Sequence, residues 1–375
     1  MLNKIFNKFD NFMTSREKKL GYYLLIITII LIATGCVFVY SSSSINAHIY
    51  KNDINYYFSK QAIFAVIGLC AMASACFCTV YFYKKFFYFI YGGIIFLLVL
   101  VHFVGVGGDQ VGATSWIRIG GFGLQPSELG KIAGVMAFAY FLEKKAFDYK
   151  KDIKMTIFAL FLTVLPIILV LMEPDLGSVA VMATGLVAVL FFTEIPLKFF
   201  MLLGVAGAAG LSVFMTFAGY RMARIDAFLH PFDDPLGISY QIVQSFYAIA
   251  NGGMFGQGIG GSKQKFMWLP EQHTDFIYAI ITEELGLFGA TLIVLLFLSL
   301  LVVVIYMGLS KKELFQRYAI IGLGTMLVFQ AFLNIMVVTG LFPVTGITLP
   351  FISYGGSSMI ASCLNIGIIF SLYYD

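Results

Sequence analysis

Residues 251–286 carry the densest set of chemically able side chains in this chain. Lys263, Lys265, Glu271, His273, Asp275, Glu283 and Glu284 fall there, between two long apolar segments. Ionisable groups beside lipid are costly and are usually kept for chemistry or transport. Gly252, Gly253, Gly256, Gly258, Gly260 and Gly261 suit a backbone folded tightly against something else. Pro270 ends that loop, and a helix is expected to start near Thr274. Asp275 is the expected reactive carboxylate. Lys263 and Lys265 are expected either as a solvated face or, beside Gly-rich backbone, as ligands of a pyrophosphate. His273 has no Cys or His neighbour with which to hold zinc, so it is read as a hydrogen-bonding neighbour of Asp275. The spacing Gly256-x-Gly258-x-Gly260 has no strand ahead of it, which excludes a dinucleotide-binding loop.

Four further polar groups interrupt the apolar sequence. In Gln125-Pro126-Ser127-Glu128, proline stands where a helix would begin, and Glu128 and Lys131 share a helix face. They are either a local ion pair or, with Arg118, part of a cavity for an anionic substrate. Glu173-Pro174-Asp175 is either a tight turn with capping carboxylates or a partner for a cation or an arginine. Arg221 and Arg224 carry the guanidinium forks that suit phosphate. Asn334 precedes two Pro- and Gly-rich runs, 340–346 and 349–358, which include Ser353 and Gly355. Such density implies broken or re-entrant backbone, tolerated only where protein or water satisfies the freed groups.

The elements that position these groups follow from composition. Of 375 residues, 60% are hydrophobic and 12% charged. Apolar runs reach about 20 residues, enough to cross a hydrocarbon core of roughly 30 Å. An all-α integral membrane protein is expected, with ten spans at about 20–40, 61–81, 86–105, 128–142, 155–172, 177–193, 197–219, 274–308, 318–340 and 355–373. The first apolar run is longer than a signal-peptide core and is read as an uncleaved span. With both termini inside, 16 of the 24 Lys and Arg lie on the cytoplasmic side, as the positive-inside rule requires. That topology gives a cytoplasmic segment at 1–19, one membrane domain at 20–375 and a long extracytoplasmic loop at about 220–273, so the working face is extracytoplasmic. The eighth span would run about 55 Å, with Gly286 and Gly289 as places to bend. Gly204, Gly207 and Gly210 in the seventh are spaced for helix packing. Cys36, Cys70, Cys76, Cys78 and Cys363 all lie within expected spans and read as core packing, and no basic run is dense enough to bind nucleic acid.

Taken together, residues 125–128, 269–276 and 349–358 resemble the SEDS family (shape, elongation, division and sporulation), peptidoglycan glycosyltransferases that include FtsW, RodA and SpoVE. The likeness covers nearly the whole chain, and 231–237 with 260–265 looks closer to the FtsW and SpoVE branch. The resemblance implies a bacterial cytoplasmic membrane protein acting on lipid II, a disaccharide-pentapeptide on undecaprenyl pyrophosphate. It implies that the 4-hydroxyl of one GlcNAc attacks the anomeric carbon of a lipid-linked MurNAc, inverting it to a β-1,4 link. It also implies that Asp275 matches the family's essential aspartate. A base beside a sugar hydroxyl lowers its barrier, and desolvation near Phe276 and Trp268 would raise the pKa of that base. The leaving pyrophosphate needs charge neutralisation, from Arg221, Arg224, Lys263, Lys265 or a divalent cation such as Mg or Mn. Implied partners are a class B penicillin-binding protein and other division or elongation proteins. The chief alternative is a flippase for the lipid-linked precursor, and a third reading is a scaffold for division proteins.

Overall fold

The computed structural model describes residues 15–106, 115–120, 122–147, 152–193 and 219–375. Helices make up most of it: α1 (Ser15–Lys51), α2 (Tyr56–Cys76), α3 (Val80–Lys85), α4 (Phe87–Val104), α5 (Pro126–Glu143), α6 (Ile153–Met172), α7 (Leu176–Phe191), α8 (Gly219–Leu229), α9 (Tyr240–Gly252), α10 (Ile277–Ser310), α11 (Leu314–Val338) and α12 (Gly356–Tyr374). Their starts follow local chemistry. Pro126 opens α5, where its missing N–H costs nothing. Asp152 and Asp175 cap α6 and α7 through their side-chain oxygens, with Asp175 accepting from Ser178 N at 2.9 Å. The capping role left open for Asp175 is therefore the one seen. One departure from an all-helical chain is a small antiparallel hairpin, β1 (Ile117–Ile119) with β2 (Phe122–Leu124), ahead of α5.

Among the described residues, seven helices are long and apolar enough to cross a membrane: α1, α2, α4, α6, α10, α11 and α12. The spans expected at 128–142 and 177–193 are α5 and α7. The first carries Glu128 and Lys131 in its opening turns, and the second has only 16 residues. The span expected at 197–219, with Gly204, Gly207 and Gly210, lies outside the described residues but for its last position. α1 runs on past Tyr40, so Ser42 and Ser43 stay helical and return their hydroxyls to the Phe38 and Val39 carbonyls. α11 and α12 form the centre, with 78% and 83% of their most apolar windows buried, against 22% for α4 and α6. The outward rings of Phe89 and Phe103 are those of helices facing lipid. A mainly apolar cavity of about 270 Å³ opens among α2 to α5 and α12, lined by Phe82, Tyr83 and Met136.

The bend expected in the long helix is real and is placed at Gly286, whose φ of 68° and ψ of −173° break α10. A side chain would be strained there. The broken turn is satisfied by the Gly-rich loop. The Glu283 and Glu284 carbonyls accept Gln257 N and Gly258 N at 3.0 Å, while Leu287 N reaches Gly253 O at 2.9 Å. The loop thus folds against a kinked helix, which explains its glycines: a Cβ on Gly256 would stand 2.1 Å from Glu284 O.

Candidate active site

Asp275 lies in a run of turns just ahead of α10, half-buried. Burial, and then the negative charges of Glu271 and Asp175, push its carboxyl up to about 7, while Arg224 opposes them. Four elements therefore meet around it: the start of α7, α8, the turn before α10, and the Pro- and Gly-rich segment after α11. That segment is close on every side. Arg224 Nη1 donates to Val344 O at 3.3 Å. A Cβ on Gly346, whose φ is +70°, would stand 3.7 Å from Asp275 Oδ2. Gly177 of α7 leaves no room for a side chain against Ile347. Glu173, two residues before Asp175, is buried, and burial with the Asp175 charge pushes it up to about 8.

The segment 340–355 is re-entrant backbone held by side chains. Ser353 Oγ accepts from Leu349 N and donates to Thr274 O at 2.6 Å. Gln61 of α2 bridges Ser353 O and Gly355 N. Ser353 and Gly355 thus shape the loop behind Asp275. The Glu128–Lys131 pair is buried: Lys131 Nζ stands 2.7 Å from Glu128 Oε2 with the side chains 3% and 8% exposed, and it donates to Gln330 Oε1 at 2.6 Å. Gln330 in turn donates to Thr348 O. This network ties α5 and α11 to the re-entrant segment. Gln330 was not singled out from the sequence, although a glutamine midway along an apolar helix was a usable signal.

The remaining candidates separate by environment. Lys265 is buried, with its ammonium on Gly260 O and 3.4 Å from Glu284 Oε1. Glu284 is also gripped through both oxygens by Ser41 Oγ of α1, at 2.7 and 2.8 Å. Glu283 accepts from Asn251, Ser262 and the Lys263 and Gln264 amides. These two glutamates and Lys265 fasten the Gly-rich loop to the helix kink, whereas the Lys263 side chain is exposed. Glu271 is exposed and accepts from Thr274 Oγ1 at 2.7 Å. His273 is packed between the rings of Tyr57 and Tyr354, with centroids 4.6 and 5.5 Å away. Burial lowers its pKa, against the opposing charge of Glu271. It is a packing residue beside the site rather than the hydrogen-bond partner expected for the Asp275 carboxylate. Arg118 is exposed on the hairpin, the Arg221 side chain lies outside the described residues, and of the two rings expected beside Asp275, Phe276 is buried and Trp268 exposed. Among the described residues, no three His, Cys, Asp or Glu side chains are grouped to hold a metal ion.

A half-desolvated carboxylate of raised proton affinity, within the field of an arginine, can take a proton from a neutral nucleophile next to an anionic leaving group. Comparison with known proteins agrees in kind. The family model of FtsW, RodA and SpoVE, described as cell cycle protein, matches residues 22–375. Stage V sporulation protein E of Bacillus subtilis (strain 168) is 39% identical, covering 96% of this chain and 98% of its own. A probable peptidoglycan glycosyltransferase FtsW of Geobacter sp. (strain M18) is 38% identical over 94% and 96%. Among solved structures, a chain from a peptidoglycan synthase complex that coordinates polymerization and crosslinking is 28% identical, with a TM-score of 0.75 over 94% of this chain and 97% of that one. The rod shape determining protein RodA of Thermus thermophilus is 26% identical, with a TM-score of 0.69 over 93% and 95%.

Proposed function

The chain belongs to the family of FtsW, RodA and SpoVE, and from that membership we propose that it is a peptidoglycan glycosyltransferase that polymerises lipid II with Asp275 as general base. It is a multi-pass membrane protein. Asp275 takes the proton of the GlcNAc 4-hydroxyl as that oxygen bonds to the anomeric carbon of the lipid-linked MurNAc. The bond from that carbon to the pyrophosphate breaks, and undecaprenyl pyrophosphate leaves with the electron pair. Arg224 and Lys263, with Arg221 from the same helix as Arg224, are the cations for the leaving group. Lys265 is not among them, because its charge is already matched by Glu284. The site faces the extracytoplasmic side and both termini are cytoplasmic, in a bundle of ten spans with a long outer loop before α10. The charge distribution of the sequence supports that orientation. A class B penicillin-binding protein is the expected crosslinking partner, a reading supported by the likeness to a synthase-complex chain.

The observation that carries this reading is the raised proton affinity of a half-buried Asp275 at the meeting point of four elements. The flippase alternative calls for ionisable groups along an open path, whereas two of the buried carboxylates here are held by a buried lysine, Glu128 by Lys131 and Glu284 by Lys265. The test is polymerisation of purified lipid II in detergent. Asp275→Asn is expected to give folded protein and no glycan strands, and full polymerisation by that variant would overturn the assignment.

A further inference from the structure

Residues 270–276 are turns, and Glu271 there has a left-handed φ of 51°. No helix ladder fixes the backbone that carries Asp275. Instead, three consecutive carbonyls are captured by the re-entrant segment and by α11. His273 O accepts Tyr354 N at 2.8 Å, Thr274 O accepts Ser353 Oγ at 2.6 Å, and Asp275 O accepts Asn334 Nδ2 at 2.7 Å. The last contact has a second arm, since the same Nδ2 donates to Ile347 O, also at 2.7 Å.

Two carbonyls on one nitrogen fix the orientation of the Asn334 amide, because only the NH2 end can serve both. Asn334 is 1% exposed, and its Oδ1 has no partner. An unpaired buried acceptor is unfavourable, so the two donor bonds account for the amide at this position. Those bonds join the backbone of Asp275 to the backbone one residue past Gly346, where a Cβ would stand 3.7 Å from Asp275 Oδ2. One turn earlier on α11, Gln330 holds the next carbonyl, Thr348 O, so the wall is fixed at successive residues.

We propose that Asn334 is a positioning residue for the reaction: it sets the spacing between the Asp275 carboxylate and the wall formed by residues 344–347, and thereby the carboxylate's aim and its degree of desolvation. This rests on Asp275 being the base.

The experiment is lipid II polymerisation by purified full-length protein, measured against substrate concentration and pH, for wild type, Asn334→Ala, Asn334→Asp and Asp275→Asn. Loss of positioning near 1 Å costs a rate on the order of 100-fold. Asn334→Ala is therefore expected to lower kcat roughly 10- to 100-fold with KM for lipid II within about twofold, the pattern of a lost transition-state interaction. Its acid limb should move to lower pH, because a freed carboxylate gains water. Asn334→Asp keeps the volume, loses at least one donor and, where it ionises, sets a negative charge beside Asp275, so its acid limb should move to higher pH. Opposite displacements are not the signature of general destabilisation. A kcat within about twofold of wild type in the alanine variant, or a lowered kcat with the acid limb unmoved in both variants, overturns the proposal. If Asn334→Ala does not fold, Asn334→Ser, which keeps one donor, must show a smaller loss of kcat and the same downward displacement. A wild-type profile from the serine variant overturns the proposal. Inactive Asp275→Asn with a wild-type Asn334→Ala overturns the positioning role alone, whereas active Asp275→Asn removes the catalytic reading beneath it.

Discussion

Lys131→Met separates the two roles the sequence left open for Glu128 and Lys131, a structural ion pair or a substrate-binding pair. The ammonium stands 2.7 Å from Glu128 Oε2 and 2.6 Å from Gln330 Oε1, with almost no exposure. Its removal leaves a carboxylate buried without compensation, worth about 3–5 kcal/mol, and leaves Gln330 Oε1 without its donor. At about 2 °C per kcal/mol for a large domain, the melting temperature in detergent should fall roughly 6–10 °C. Adding Glu128→Gln removes the orphaned charge, so the double variant should recover most of that loss. The double-mutant cycle should show a coupling of about 2–3 kcal/mol, at the top of the range for residues in contact. Thermal unfolding of wild type, both single variants and the double variant measures it. Additive losses, or an unchanged melting temperature with a raised KM for lipid II, would refute the structural role and return the pair to substrate binding.

With Asp275 as the proposed base, the pH dependence of polymerisation should show an acid limb centred near 7, where burial places its pKa, and activity should fall about tenfold per pH unit well below that value. Glu271→Gln removes an exposed negative charge that favours the protonated form, so the limb should move down by a few tenths of a pH unit, and an upward or absent displacement would count against the electrostatic account. Gly286→Ala places a Cβ 2.4 Å from Gly256 N at a φ of +68°, so folded protein should be lost, whereas Gly92→Ala, with nothing within 4 Å, should be tolerated. Equal yields of the two variants on size-exclusion chromatography would contradict the kink.

Local sequence determined much of this protein. Apolar runs marked the helices, Pro126 and Asp175 marked two helix starts, Gly286 marked the bend, and the Leu-Pro-x-x-x-x-Asp-Phe run at 269–276 marked Asp275 as the candidate base. These signals are legible because each depends on neighbours within about a turn. What each charge does once the chain is packed was decided only by tertiary structure. Lys263 and Lys265 look alike in sequence, yet one is exposed and the other is matched by a glutamate that Ser41, 243 positions away, also binds. Lys131 meets Gln330 across 199 positions, and the grip of Asn334 on Asp275 spans 59. A charge or amide in a membrane bundle is assigned its role by which distant partner satisfies it once water is gone, and no local pattern encodes that partner.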